Sequence, residues 1–205
     1  MLKAFLFDLD GTIWNSKIAT IEALAEVIAV EKGKRINKKV LHDLINLDTH
    51  REVLRLYGIY HDEIFWKEYK KRYDLVVLFF NDTRSVLQEI VNRNRKLGVV
   101  TSLKKIIAMD LLTKFNLLPL FSVIITPSDT SARKPSPKPI LMAINKLGLT
   151  ETEAIYIGDK ESDIIAAKNA GCYSGLAEWG NSAKLSISPD YKLKKLHDLI
   201  NLCDR

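Results

Sequence analysis

Four short apolar runs, separated by longer stretches with helical periodicity, limit the folds open to this 205-residue chain. The runs are rich in Val, Ile and Phe and span Ala4–Phe7, Gly98–Val100, Val123–Ile125 and Ile155–Ile157. Such runs predict strands buried on both faces, and strands that alternate with helices are typical of a parallel α/β sheet. A fifth strand is expected near Tyr173–Leu176, and Leu193–Leu202 is expected to form a closing helix.

Two Lys-Leu-Gly triplets, at 96–98 and 146–148, predict where helices end. A glycine directly after a helix commonly adopts a left-handed conformation and stops it. We therefore expect Gly98 and Gly148 each to follow the last turn of a helix and to precede a strand.

One interval interrupts the alternation, because from Trp14 to about Asn81 the pattern is helical only. Ile21, Leu24, Ala25 and Ile28 recur at helical spacing, and Thr49 to Glu52 has the sequence of a capping box that starts a helix. The chain is therefore predicted to have a core formed by residues 1–14 and 82–205. A helical domain, residues 15–81, is inserted after the first strand.

Two carboxylates directly follow the first predicted strand, in Asp8-Leu9-Asp10-Gly11-Thr12. Residues two apart on a strand point to the same side, so Asp8 and Asp10 can face one site, and Gly11 permits a tight turn. Such a pair can serve as nucleophile and acid–base, or as ligands of a hard cation. The alternative is an Asp-Gly turn with a surface carboxylate beside it.

Further polar residues follow the other predicted strands: Thr101, Lys134, Asp159 and Asp163. Open parallel sheets bind ligands outside the carboxyl ends of their strands, so these side chains are expected to converge with Asp8 and Asp10. Each residue has a simpler alternative. Thr101 could cap a helix, Lys134 could be solvated, and Asp159 with Asp163 could favourably charge a helix N-terminus.

Taken in order, four segments resemble the motifs of the haloacid dehalogenase superfamily. They are Asp8 to Thr12, then Thr101, then Lys134-Pro135-Ser136-Pro137, then Gly158 to Asp163. The following stretch, Asp163 to Cys172, is typical of the branch that contains phosphoglycolate phosphatase and β-phosphoglucomutase. The resemblance covers the whole chain, and it implies a Rossmann-like α/β core with the helical segment as its cap domain.

The resemblance implies a Mg²⁺-dependent phosphatase, a hydrolase of phosphoric monoesters. Asp8 would attack phosphorus and form an aspartyl-phosphate, while Asp10 would protonate the leaving oxygen and later deprotonate a water. Mg²⁺ would lie between the Asp8 carboxylate, the backbone carbonyl of Asp10, Asp159 and the phosphate. The substrate would be a small phosphorylated metabolite, similar to phosphoglycolate or a sugar phosphate.

The same resemblance assigns the remaining site residues. Thr101 and Ser102, with nearby backbone amides, and Lys134 would bind the phosphate oxygens, and Asp163 would orient Lys134 or a water held by the metal. In the cap, the helix that begins after Thr49 would face the core. There Arg51 suits a carboxylate or a second phosphate and His50 a hydroxyl, although a first-turn arginine can equally be solvated.

Three other functions remain open from the sequence. The first is a sugar phosphomutase, which shares all four motifs. A metal-free dehalogenase is not among the three, because it would lack the acid at position 10. A phospho-accepting signalling domain also carries an Asp nucleophile on an α/β fold, but the helical insertion and Asp10 argue against it. The net charge of +6 raises the possibility of a nucleic-acid-binding protein.

Charge and cysteine content limit the partners and the compartment. The basic residues are spread along the chain, and the cluster Arg93, Arg95 and Lys96 is expected to lie on a solvated helix face, so no nucleic-acid partner is predicted. Two cysteines without a disulfide framework favour a reducing cytoplasm. The longest apolar run falls far short of the ~20 residues of a membrane span, so no membrane partner is expected either. A monomer or a homodimer is expected.

Overall fold

A six-stranded parallel sheet forms the centre of the computed structural model, which describes residues 1–47, 49–180 and 185–204. Its strands are β1 (Ala4–Phe7), β4 (Lys96–Val100), β5 (Phe121–Ile125), β6 (Ala154–Gly158), β7 (Tyr173–Ala177) and β8 (Tyr191–Leu193). They are arranged in the order β5-β4-β1-β6-β7-β8, and every neighbouring pair is parallel. The predicted α/β fold is confirmed.

The four strands predicted from apolar runs occupy the middle of this sheet. Phe5 of β1 lies opposite Leu97 on one side and Ile155 on the other. All four residues of β1 are buried, because both of its edges are paired and both of its faces are covered. The carboxyl ends of β1, β4 and β6 are therefore adjacent, and this edge receives the predicted site.

The chain divides into two compact units. One comprises Met1–Trp14 and Leu78–Arg205, and the other comprises Asn15–Val77. Two-residue strands, β2 (Trp14–Asn15) and β3 (Val77–Leu78), lie where the chain passes from one unit to the other.

The first unit surrounds its sheet with helices. These are α5 (Thr83–Asn92), α6 (Lys105–Lys114), α7 (Lys138–Lys146), α8 (Glu161–Asn169) and α9 (Asp198–Leu202). Leu6 and Tyr156 of the sheet are buried in one apolar cluster with Ile140 and Ile144 of α7 and Ala167 of α8. Only Asp159 and Lys160 separate β6 from α8, so the N-terminal end of α8 lies close to the carboxyl end of β6.

The second unit is helical, with α1 (Lys17–Lys32), α2 (Lys38–Leu47), α3 (His50–Leu56) and α4 (Glu63–Lys70). Ile21, Leu24 and Ile28 are buried on α1, as their spacing predicts. The capping box at Thr49 and Glu52 starts α3, and each side chain bonds the backbone amide of the other residue. None of the helices in the described ranges is long and apolar enough to cross a bilayer.

Gly148 follows α7 with a left-handed φ of 68°, as predicted. The same expectation for Gly98 is wrong, because Gly98 lies inside β4. A Cβ there would come within 2.5 Å of Leu6 and 2.7 Å of Val123, so the neighbouring strands leave room only for glycine. Asn94, with φ 58°, makes the left-handed turn after α5 instead.

The cluster of basic residues that follows α5 also departs from the prediction. Arg93, Arg95 and Lys96 lie beyond the end of α5 rather than on a helix face. The Arg93 guanidinium binds Asp204, Arg95 donates to the carbonyl of Cys203, and Lys96 donates to the carbonyl of Leu147. Arg93 and Arg95 therefore contact residues that follow the C-terminal helix, and Lys96 supplies a donor to a carbonyl at the end of α7, where helix carbonyls lack partners.

The expected closing helix over Leu193–Leu202 is too long. Its first residue ends β8, and α9 begins only at Asp198. The Asp198 carboxylate accepts hydrogen bonds from the amides of Lys194 and Lys195, which form the turn before the helix.

Candidate functional site

The first part of the site is the loop that follows β1. The Asp8 amide donates to the carbonyl of Ile157 at 2.9 Å, which continues the pairing of β1 with β6 by one residue. This bond holds the Asp8 backbone at the edge of the sheet, and the Asp8 side chain is buried. Gly11 then takes a φ of 84°, a conformation that a side chain would strain.

A single carbonyl closes this loop. The Leu9 carbonyl accepts from the amides of Thr12, Ile13 and Trp14 at 3.1, 2.9 and 3.2 Å. The Asp10 carboxylate, which is partly exposed, accepts a hydrogen bond from the Trp14 indole at 2.7 Å. Asp8 and Asp10 thus sit on a rigid turn, but their side chains have different partners.

Lys134 supplies the positive charge. Its ammonium lies 3.0 Å from Asp8 Oδ1 and 2.7 Å from Asp163 Oδ1, and it donates to the Tyr156 hydroxyl at 2.7 Å. That hydroxyl donates in turn to the Val100 carbonyl at 2.9 Å. Lys134 is therefore held among acceptors rather than solvated, and its ammonium lies beside the predicted nucleophile.

Three buried carboxylates form the acidic part of the site. Asp8, Asp159 and Asp163 each have an oxygen within 4.8 Å of the others, an arrangement that could hold a metal ion. The Asp159 carboxylate fills the space that a Cβ at Gly11 would need. Its Oδ1 is buried and accepts no hydrogen bond from any described residue.

The electrostatics of this cluster favour a bound cation. Burial raises the pKa of Asp8 to about 6, although the nearby Lys134 lowers it. Burial, with Asp163 beside it, raises the pKa of Asp159 to about 8. Burial of ionised carboxylates away from water costs free energy unless enough positive charge lies nearby. A hard divalent cation, which prefers oxygen ligands, supplies that charge. The residues present therefore fit such an ion.

Asp163 has two roles in the structure. Its Oδ2 accepts from the Lys160 amide at 3.1 Å at the start of α8, while its Oδ1 contacts Lys134. The alternative function of capping a helix is thus real, but it does not compete with a role in the site.

The three predicted phosphate-binding residues line one pocket at the carboxyl ends of β4 and β5. Thr101, Ser102 and Lys134 form part of its wall, together with Thr126 and Arg133. The Thr101 hydroxyl also accepts from the Leu103 amide at 3.2 Å and so shapes the turn before α6. Hydroxyls and cations that share a pocket are suited to an anion.

The two residues predicted for the cap lie in the helical unit. Arg51 donates to Asp62 at 2.6 Å, and the same carboxylate accepts from the Trp66 indole at 3.1 Å. His50 stacks on Phe65 with ring centroids 4.2 Å apart. Each side chain thus has contacts inside its own unit, and a role toward a substrate stays a prediction for both.

Sequence reasoning missed four residues that shape the site. The sequence places Tyr156 only inside a strand, yet its hydroxyl accepts a hydrogen bond from Lys134. The Trp14 indole binds Asp10, and the Trp179 indole donates to the Thr12 carbonyl at 2.9 Å. Gly180 packs so closely on Gly11 that a Cβ would overlap the Gly11 carbonyl. The sequence contains a signal for Tyr156 alone among these four, because a hydroxyl inside a strand predicted to be buried requires a hydrogen-bond partner.

Comparisons with known proteins agree with this geometry. The model of the haloacid dehalogenase-like hydrolase family matches residues 5–177. The chain is 28% identical to pyrophosphatase PpaX from Bacillus pumilus over 97% of this chain and 95% of that protein. It is 27% identical to phosphoglycolate phosphatase from Aquifex aeolicus, over 99% and 97% of the two chains. A HAD phosphatase from Thermococcus onnurineus superposes with a TM-score of 0.76 at 26% identity, over 98% and 97%.

Proposed function

The chain belongs to the haloacid dehalogenase-like hydrolase family, and on that basis we propose that this phosphatase hydrolyses a small phosphorylated metabolite with Mg²⁺ through an aspartyl-phosphate. The observation that carries the proposal is the position of Asp8, whose carboxylate lies 3.0 Å from the Lys134 ammonium at the edge of an acidic cluster. A carboxylate can approach a phosphate dianion only where positive charge offsets the repulsion.

In the first half-reaction, an Asp8 oxygen attacks phosphorus and the bond from phosphorus to the leaving oxygen breaks. Asp10 gives its proton to that oxygen, so the leaving group departs as an alcohol or acid. Lys134, Thr101 and Ser102 bind the remaining phosphoryl oxygens. Their place around one pocket supports this role.

In the second half-reaction, a water attacks the phosphorus of the aspartyl-phosphate. Asp10, now a carboxylate, takes a proton from that water, and the bond from phosphorus to Asp8 breaks. Inorganic phosphate is released, and Asp8 and Asp10 return to their starting states. One carboxyl group thus serves as acid and then as base.

Asp8, Asp159 and the backbone carbonyl of Asp10 would hold the Mg²⁺. The bound ion supplies charge neutralisation and orients the phosphate. The buried Asp159 Oδ1, which accepts no hydrogen bond from the described chain, supports this assignment. Asp163, at 2.7 Å from Lys134, is proposed to hold the ammonium in place rather than to bind the ion.

The substrate and its recognition are further parts of the proposal. The names of the relatives suggest pyrophosphate and phosphoglycolate as first candidates. We assign residues 15–81 as the cap domain that supplies specificity, with His50 and Arg51 as candidate contacts. Two free, buried cysteines support a reducing compartment such as the cytoplasm.

A phosphate-release screen tests the proposal. The purified chain with Mg²⁺ is assayed against phosphoglycolate, sugar phosphates, nucleotides and pyrophosphate, with the Asp8→Asn variant as the matched control. We expect phosphate release from at least one of them, and a loss of at least about 100-fold in the variant. Phosphate release that survives in Asp8→Asn would refute the aspartyl-phosphate. An isomerised sugar phosphate without released phosphate would identify a phosphomutase instead.

A further inference from the structure

A hydrogen bond between two residues of the segment 8–14, which we call the catalytic loop, has no role in the steps above. The indole nitrogen of Trp14 donates to Asp10 Oδ1 at 2.7 Å. Trp14 is completely buried, whereas Asp10 is partly exposed. At this length, the bond is a strong one between a neutral donor and a carboxylate.

The indole has little freedom to move. Its ring packs on Phe115 with centroids 5.7 Å apart, and the Trp14 carbonyl accepts from the Gly11 amide at 2.9 Å. The Trp14 amide donates to Leu9 within the same turn. The donor is therefore fixed by packing and by the backbone, and the Asp10 side chain adapts to it.

The chemistry of the donor distinguishes the two oxygens of Asp10. An indole nitrogen only donates, so Oδ1 must accept in every protonation state in which the bond persists. In a carboxylic acid the carbonyl oxygen is the better acceptor and the hydroxyl oxygen carries the proton. A protonated Asp10 therefore holds its proton on Oδ2.

We propose that Trp14 is a positioning residue for the acid–base step, and that it makes Asp10 Oδ2 the oxygen that exchanges the proton. This inference rests on the proposed function, in which Asp10 protonates the leaving oxygen. Oδ2–H gives its proton to that oxygen as its bond to phosphorus breaks, and Oδ2 later takes a proton from the attacking water. Without the indole, the carboxyl group rotates and presents the proton in the required direction only part of the time.

A second indole, which contacts the catalytic loop but does not belong to it, provides a matched control. Trp179 donates to the backbone carbonyl of Thr12, not to a carboxylate. Its ring contacts Phe80 at 5.4 Å between centroids. A Trp179→Phe variant therefore also removes one indole hydrogen bond from the loop, but leaves the Asp10 side chain with its partner.

The first experiment compares substrates by their need for a proton. An alkyl phosphate requires protonation of the leaving oxygen, whereas p-nitrophenyl phosphate releases a stable anion. The readout is kcat/KM, because it reports formation of the aspartyl-phosphate and not its hydrolysis, which is common to both substrates. We expect Trp14→Phe to lower kcat/KM about tenfold or more for the alkyl phosphate and less than about threefold for p-nitrophenyl phosphate. Asp10→Asn should show the same preference more strongly, and Trp179→Phe should show none. An equal loss of kcat/KM on both substrates in Trp14→Phe would assign Trp14 to packing alone and overturn the proposal.

The second experiment uses the native Trp14 and does not depend on the folding of a Trp14 variant. The chain has three tryptophans, whose indole N–H resonances can be followed by NMR in ¹⁵N-labelled protein. We expect Asp10→Ala, which removes the acceptor, to shift the Trp14 resonance strongly upfield and to leave those of Trp66 and Trp179 nearly unchanged. An unmoved Trp14 resonance would show that the bond is absent in solution.

The two proposals can fail separately. If Asp8→Asn retains activity, the proposed function fails whatever Trp14 does. If Asp8→Asn and Asp10→Asn lose activity as expected but Trp14→Phe affects both substrates alike, only the positioning role fails.

Discussion

The ammonium of Lys134 lies 2.7 Å from Oδ1 of Asp163, and both side chains are almost fully buried. Oδ1 of Asp8 lies 3.0 Å from the same ammonium. Burial alone would lower the pKa of Lys134, but the carboxylates of Asp163 and Asp8 raise it well above its ordinary value. One lysine thus holds two carboxylates together beside the place proposed for the phosphate.

Removal of that charge should affect both stability and activity. Lys134→Met leaves two buried carboxylates facing each other, so we expect the free energy of unfolding to fall by about 3 kcal/mol at pH 8. Phosphate release should fall by at least about 100-fold. Urea unfolding in EDTA and the phosphate assay measure the two effects. A Lys134→Met protein as stable and as active as the native chain would contradict this account of the site.

Asp159 should control the affinity for the metal. Loss of one anionic ligand weakens a divalent cation site, so Asp159→Asn should raise the Mg²⁺ concentration for half-maximal activity by about tenfold or more. High Mg²⁺ should then recover part of the activity. Asp43→Asn, which alters a carboxylate with 70% of its side chain exposed, serves as the control. Superimposable Mg²⁺ curves for Asp159→Asn and the native chain would remove Asp159 from the ligands.

The metal-free protein should become less stable as the pH rises from 5 to 8. Burial raises the pKa of Asp8 to about 6 and of Asp159 to about 8, from 3.8. The folded chain therefore binds these protons more tightly than the unfolded chain, and that advantage is lost as the pH rises through the folded pKa values. The slope is at most about 1.4 kcal/mol per pH unit for each group, and above pH 6 Asp159 alone contributes.

Other groups with shifted pKa values keep their charge between pH 5 and pH 8. Asp129 and Glu153 have lowered pKa values and lose their contribution only in acid, and Lys134 stays charged throughout. Urea midpoints at pH 5, 6, 7 and 8 in EDTA measure the slope, and Asp159→Asn should flatten it above pH 6. Mg²⁺ should raise the midpoint more at pH 8 than at pH 5. A midpoint that rises with pH in EDTA would be inconsistent with these buried carboxyls.

Arg51 is the best candidate for substrate discrimination in the helical unit. If it binds a second anionic group, Arg51→Ala should raise KM about tenfold for the native substrate and leave KM for a generic aryl phosphate almost unchanged. Arg55→Ala, on the same helix, is the matched control, because its side chain is exposed. The ion pair with Asp62 predicts a loss of stability in Arg51→Ala as well. A change in stability with no effect of substrate identity on KM would restrict Arg51 to that ion pair.

Gly180 should be required for activity rather than for folding. A Cβ at Gly180 would overlap the Gly11 carbonyl and come within 2.7 Å of the Asp159 Cβ, so Gly180→Ala must displace the catalytic loop. We expect at least a tenfold loss of kcat and a destabilisation of about 1–3 kcal/mol. Gly148→Ala is the control, since it has a positive φ of 68° but open space around it. Equal activity in the two variants would show that the loop tolerates the displacement.

Local patterns in the sequence predicted the parallel sheet and the residues at its carboxyl edge. An apolar run that is followed directly by a carboxylate predicts a buried strand with a polar side chain at its carboxyl end, and in an open parallel sheet that end is where ligands bind. The capping box at Thr49 and the glycine stop at Gly148 were predictable for the same reason, because their bonds join residues close together in the chain.

Only the tertiary structure decided which residues far apart in the sequence contact one another. Gly98 had the sequence of a helix stop, but the side chains of Leu6 and Val123 on neighbouring strands require a glycine inside β4. In the sequence Tyr156 is an ordinary strand residue. In the structure its hydroxyl accepts a hydrogen bond from the ammonium of Lys134, twenty-two positions earlier. Trp179 and Gly180 reach the loop of Asp8 and Asp10 from the far end of the chain. Periodicity and motif spacing report how each segment is buried, but which side chains share one space depends on the packing of the whole sheet, and no local pattern encodes it.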